Sequence, residues 1–203
     1  MGTGGDYAAI QVFELPSFEQ VAEWHHNTTP MNQQVRILQQ INKHIHDAIM
    51  EKDTTASPQI FYSMENNSIG EAALLRVMDI GEENIQGMFL SEPIRKGHRR
   101  KFRRGFNTTA KHKIDACTKF KELVENGKMK INSQLLISEL KDFVASGMSY
   151  KAKAGQHDDL VSSCLLMTRM MKVLADFDPK IFEKWTDRTS ELKPMPVFGS
   201  FYG

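Results

Sequence analysis

Cysteine is nearly absent: Cys117 and Cys164 are the only two in 203 residues. That is too few for a disulfide framework, and neither has the Cys/His spacing that holds zinc. Both fall on the apolar faces of expected helices, so we read them as reduced core thiols. No apolar run approaches the ~20 residues of a membrane span, and the N-terminus lacks the charged-then-apolar layout of a secretory signal. We therefore expect a soluble, intracellular chain. A Gly-x-x-x-x-Gly-Lys-Ser/Thr phosphate loop is missing, which excludes a P-loop nucleotidase within these residues. Net charge is close to nil, +1 from 26 Lys and Arg against 25 Asp and Glu, so the overall balance selects no partner. What remains, 40% hydrophobic and 25% charged residues, is the composition of one ordinary globular domain.

Charge is unevenly spread. Arg95, Lys96, Arg99, Arg100, Lys101, Arg103, Arg104, Lys111 and Lys113 crowd into one stretch, with Phe102 and Phe106 interleaved. Charge runs are commonly solvated loops, but cations this dense repel one another unless an anion lies near, and a phosphate backbone supplies one. We read these nine residues as a nucleic-acid contact.

In chain order, a glycine turn at Gly2 to Gly5 precedes a strand over 6–14, and a second strand over 20–26 makes a hairpin. Thr29 is expected to cap a helix with Pro30 at its first position and Leu38, Ile41, Ile45 and Ile49 along its apolar stripe. His25, His26, His44 and His46 are possible ligands or bases. No carboxylate is fixed beside them by spacing, so packing and surface roles are the ordinary explanation. A strand over 59–64 ends in Glu65, and Ser68 to Glu71 forms a capping box that opens a helix. A strand over 85–90 follows, so strands and helices alternate in the α/β manner. Thr108 or Thr109 caps a helix that ends at Asn126-Gly127. Met129 to Ile131 forms a short edge strand, and Ser133 caps a helix bearing Leu136, Leu140, Phe143 and Val144. From Phe177 periodicity is lost, which divides the chain into a domain over 1–176 and a tail over 177–203.

The acids carry the chemistry. Asp158 and Asp159 stand where a loop becomes a helix with Leu160, Cys164, Met167, Met171 and Leu174 on its apolar face. Free backbone N–H groups and the helix dipole favour ionised carboxylates there. Asp is also a favoured cap residue, so capping alone would explain the pair. Glu65, at the carboxyl end of a strand and just before a helix, adds a second oxygen donor where open α/β sheets form ligand crevices. Glu65, Asp158, Asp159 and Asp6 are oxygen ligands of the kind Mg²⁺ and Mn²⁺ select, and two such ions can cleave a phosphodiester.

Three motifs in this order, Gly-x-Gly-x-Asp-Tyr at Gly2 to Tyr7, Glu-x-Asn-Ser-x-Gly at Glu65 to Gly70 and Gly-x-His-Asp-Asp-Leu-Val at Gly155 to Val161, make a recognisable set. The chain resembles, from about Gly2 to Ala175, the C-terminal nuclease domain of the large terminase subunit of tailed bacteriophages, in its myovirus-like branch. The resemblance implies an RNase H-like fold, a mixed sheet with helices on both sides. It implies a metal-dependent endonuclease acting on double-stranded DNA, with Glu65, Asp159 and Asp158 as catalytic metal ligands and Asp6 as a nearby acid. Two Mg²⁺ or Mn²⁺ ions are the implied cofactors. The implied partners are DNA, the ATPase domain of the same subunit, the portal and the small terminase subunit, in the host cytoplasm and with no membrane. In the family the first catalytic Asp lies on a strand before the glycine turn, upstream of Met1. We accordingly expect an N-terminally incomplete domain whose first strand is missing, with little cutting activity alone. The competing readings are a non-catalytic DNA-binding or docking fragment of the packaging motor, and another RNase H-like nuclease such as a resolvase.

Overall fold

The computed structural model describes residues 7–93, 104–147 and 149–177. Strands β1 (Ala8–Glu14) and β2 (Glu19–His26) form the expected antiparallel hairpin, in register from Ala8 opposite His26 to Glu14 opposite Glu19, with an irregularity between Val12 and Phe13. Helix α1 (Met31–Lys52) follows. Thr29 does not cap it: Pro30 precedes the helix, its carbonyl accepting from the Gln33 and Gln34 amides, while the Thr29 hydroxyl lies 2.6 Å from Nδ1 of His26. Proline lacks an N–H and has a fixed φ, so it can stand just outside the helix as readily as inside.

Strand β3 (Phe61–Tyr62) pairs in parallel with β4 (Met88–Phe89). Both ladders are shorter than the apolar runs that suggested them, although hydrogen bonds from the Met88 amide to Ile60 O and from the Leu90 amide to Tyr62 O continue the alignment. Between them runs α2 (Ser68–Ile80). Its cap is Asn67 rather than Ser68, the Asn67 side chain accepting from the Gly70 amide at 2.7 Å. Helix α3 (Ala110–Glu125) is capped by Thr109 and α4 (Gln134–Asp142) by Ser133, as the sequence indicates. Met129 to Ile131 contributes one parallel bridge, Lys130 with Glu19.

Helix α4 stops short of the expected Phe143 and Val144. Those residues enter β5 (Phe143–Ser146), which turns at Gly147 and returns as β6 (Ser149–Ala152). Stacking of Phe143 on Tyr150, with ring centroids 6.1 Å apart, adds a cross-strand contact that a longer helix would forgo. Helix α5 (Asp159–Phe177) completes the described fold. Among the described residues the strands fall into three pairs, one parallel and two antiparallel.

Two cores result. The larger joins Leu160, Val161, Cys164 and Leu165 of α5 to Ala116, Cys117 and Phe120 of α3, Leu136 of α4 and Phe106. Both cysteines are buried and free. Burial pushes the Cys117 thiol up to about 11 and raises that of Cys164 further. The smaller core joins Val35 of α1, Tyr62, Val77 of α2 and Ile85. No described helix is long and apolar enough to cross a membrane.

Candidate active site

Asp158 and Asp159 open α5 as the sequence indicates, but the acceptor for the Leu160 and Val161 amides comes from another helix. The Asp158 carbonyl accepts from the Ser162 amide at 2.8 Å, which makes Asp158 the boundary residue. A capping side chain at that position normally accepts from the amide two or three residues further on, that of Leu160 or Val161. Here a residue from α4 takes them: Glu139 Oε2 accepts from Leu160 N at 2.9 Å and from Val161 N at 3.1 Å. The Asp158 carboxylate turns instead to Lys113 of α3, Oδ2 to Nζ 3.3 Å. Lys113 is placed for this by the cap of its own helix, the Thr109 hydroxyl accepting from the His112 amide at 3.3 Å, and its ammonium lies 5.4 Å from the centroid of the Phe143 ring.

Asp159 meets a different set. Its Oδ2 accepts from the Tyr7 amide at 3.3 Å and lies 3.8 Å from His157 Nδ1. The Tyr7 ring stacks on His25 at 4.2 Å between centroids and meets His157 edge-on at 4.9 Å. His25 Nε2 is in turn 4.0 Å from Glu139 Oε1. Burial lowers the His25 pKa against the opposing pull of Asp159 and Glu23. Burial also raises that of Glu139, its two amide donors opposing the rise and Asp159 and Asp158 adding to it. Tyr7, His25, Ser138, Glu139, Gln156 and His157 border a cavity of about 150 Å³.

Glu65 lies three residues beyond β3, in an isolated parallel bridge to Phe106, and Asn67 Nδ2 donates to its Oε2 at 3.1 Å. Gly70 explains the spacing of this motif. A Cβ there would lie 1.7 Å from the Glu65 carbonyl oxygen, so only glycine lets α2 pass so close. The segment beside Glu65 is the return end of the basic run, with Phe106 N donating to Met64 O at 3.1 Å and Asn66 N to Phe106 O at 2.7 Å. The two ends of that run are tied together: Gly105 N donates to Ser91 Oγ at 3.0 Å and Glu92 N to Gly105 O at 3.2 Å. Arg169 of α5, 11% exposed, pairs with Glu92, donates to Asn107 O and Thr108 Oγ1 at 3.1 Å each, and lies 5.1 Å from the Phe106 ring centroid.

Asp6 and the cations Arg95, Lys96, Arg99, Arg100, Lys101 and Arg103 lie outside the described residues. Arg104 is paired with Glu82 at 2.6 Å, Lys111 is exposed and Lys113 is the partner of Asp158. Among the described residues no three His, Cys, Asp or Glu side chains converge as a metal cage. The donor chemistry of the acid pair still fits Mg²⁺, which commonly uses one or two carboxylates and completes its shell with water and substrate phosphates.

Sequence reasoning missed Glu139, although its signal is present: in the Leu136, Leu140, Phe143 stripe, residue 139 falls on the apolar side. It also left His25 as a packing residue, while the fold sets it within the ring of groups around Asp159.

A family model described as the terminase RNase H-like domain matches residues 1–170. Among solved structures, the large terminase nuclease from thermophilic phage G20c with bound magnesium is 18% identical over 81% of this chain and 74% of that one, with a TM-score of 0.53. The same nuclease with bound cobalt gives the same values. A further structure of it gives 19% identity, 82% and 76% coverage and a TM-score of 0.54. At this identity the likeness establishes a shared fold.

Proposed function

Because the chain belongs to the terminase RNase H-like domain family, we propose that it is a nuclease domain of a phage DNA-packaging motor, cutting double-stranded DNA with divalent metal ions. The observation that carries this reading is that Glu139, and not Asp158, accepts from the Leu160 and Val161 amides. The Asp158 carboxylate is thereby turned to a cation, Lys113, beside Asp159 at a helix N-terminus that favours negative charge.

In the proposed site Asp159, Asp158 and Glu65 would hold Mg²⁺ or Mn²⁺, two ions in the full complement, with Asp6 as a further acid. Bound there, the metal supplies Lewis acidity and an activated water for phosphodiester hydrolysis. The chain's own residues do the rest. Tyr7 N–H fixes Asp159, and Lys113 balances Asp158 and would be released to a DNA phosphate once a metal cation took over that carboxylate. The return end of the basic run passes beside Glu65, so DNA gripped by Arg95, Lys96, Arg99, Arg100, Lys101 and Arg103 is brought to the acids. Lys111 adds a contact to the backbone. The working partners on this reading are DNA, the ATPase portion of the large subunit, the small subunit and the portal, in the host cytoplasm.

Plasmid cleavage by the complete large subunit in Mg²⁺ or Mn²⁺ tests the proposal, with Asp159→Asn and Glu65→Gln as the variants. Loss of cutting in both, with DNA binding retained, is the expected result. Metal-dependent cutting that survives both changes would remove the acids from the mechanism. A second reading, a DNA-binding module without catalysis, is favoured by the lack of three converging donors among the described residues. Tight DNA binding with no cleavage by the complete large subunit would select it.

A further inference from the structure

We propose that Glu139 is a positioning residue for the acid pair: its carboxylate, delivered from α4, sets the first turn of α5 and thereby the directions in which Asp158 and Asp159 point. The inference rests on the nuclease reading and goes beyond it, since Glu139 belongs to none of the three motifs.

The geometry is a division of labour. An N-terminal turn has free amides that must find acceptors, and the boundary residue's own side chain is the usual acceptor. Were Asp158 to fill that role, its carboxylate would fold back over Leu160 and Val161 and be lost to any ligand. Glu139 Oε2 occupies that position at 2.9 and 3.1 Å, and the Asp158 carboxylate faces Lys113. The other Glu139 oxygen, Oε1, faces His25 Nε2 at 4.0 Å. His25 stacks on Tyr7, and the Tyr7 amide holds Asp159 Oδ2. One side chain thus touches both arms of the site, the helix end that carries the acids and the His25 ring that stacks on Tyr7, whose amide holds Asp159. It meets neither acid in a hydrogen bond, so it acts through the groups it holds.

The role separates charge from hydrogen bonding. Glu139→Gln keeps a carbonyl oxygen able to accept both amides, whereas Glu139→Ala removes the acceptor. A Val35→Ala variant, altered in the smaller core, supplies a comparison of lowered stability without change at α5. Three measurements on the complete large subunit decide: amide hydrogen exchange at the start of α5, Mn²⁺ binding by calorimetry, and plasmid cleavage resolved into kcat and DNA affinity. We expect Glu139→Gln to stay near wild type in all three. Glu139→Ala should lose exchange protection at Leu160 and Val161 and lose roughly tenfold in Mn²⁺ affinity and in kcat at unchanged DNA affinity. Val35→Ala should lose neither metal affinity nor kcat.

Equal impairment of the Gln and Ala variants would overturn the proposal, because the charge itself would then be needed, as in a direct ligand. Wild-type Mn²⁺ affinity and kcat in Glu139→Ala would overturn it too, leaving a structural cap. A wild-type chain that takes up no Mn²⁺ would overturn the nuclease reading and the positioning role with it. Failure of the Glu139 variants alone, beside an active wild type, leaves that reading standing.

Discussion

Lys113 of α3 and Asp158 of α5 meet at 3.3 Å, and the pair joins the helix that follows the basic run to the helix that carries the acids. Both side chains are mostly shielded, at 21% and 27% exposure, so the contact is less screened than a surface ion pair. Replacing the lysine by Lys113→Met leaves a carboxylate without its cation. We expect a stability loss on the order of 1 kcal/mol in metal-free buffer and recovery of most of it when Mg²⁺ is added. Thermal melts with and without Mg²⁺ measure this, and equal losses in both buffers would argue against metal at Asp158.

Gly70→Ala places a methyl group against the Glu65 carbonyl. Helix α2 or the end of β3 must shift, at a cost of about 1–3 kcal/mol, and Glu65 moves with it. Cleavage should fall further than Tm alone accounts for, by comparison with a variant of matched stability.

The basic run should show itself in salt dependence. Joint replacement of Arg99, Arg100 and Arg103 by Ala should reduce the slope of log K against log salt by about 0.9 for each phosphate no longer neutralised, for all DNA sequences alike. Arg104 should behave differently, because it is committed to Glu82. Arg104→Gln should lower Tm more than it alters the salt slope in a binding titration.

Glu139 makes folding stability depend on pH. Its folded pKa is raised, so its contribution is fully present below the ordinary carboxylate value of 4.5 and is lost as pH rises through the folded value. Glu139→Gln, which cannot ionise, should flatten the stability profile over that window. Denaturant unfolding from pH 4 to 7 in EDTA measures the difference, and superimposable profiles would contradict it.

The thiols should be inert in the native state. Cys117 is pushed up to about 11 and Cys164 is raised and fully buried, so little thiolate exists at pH 8. A disulfide reagent should react slowly until denaturant is added and then titrate both cysteines; rapid native reaction at either would contradict the burial.

Local chemistry makes much of this protein legible from its sequence. Helix periodicity marks α1, α3 and α5, and the caps Thr109 and Ser133 can be read directly because a side chain three residues before an amide is a local relationship. The hairpin β1–β2 and the acid pair at the start of α5 are legible for the same reason. Tertiary structure decided the rest. Phe143 and Val144 continue a helical pattern, yet pairing with 149–152 draws them into a strand. Whether Asp158 capped its helix or faced Lys113 depended on Glu139, a residue on another helix, and the pairing of Arg104 depended on Glu82. His25 reached the acids only because a hairpin folded Tyr7 over it. Periodicity and caps depend on residues within a turn of one another, whereas the direction of a charge is set by whichever counter-charge or amide packing brings within about 3 Å, and that distance is not a property of sequence spacing.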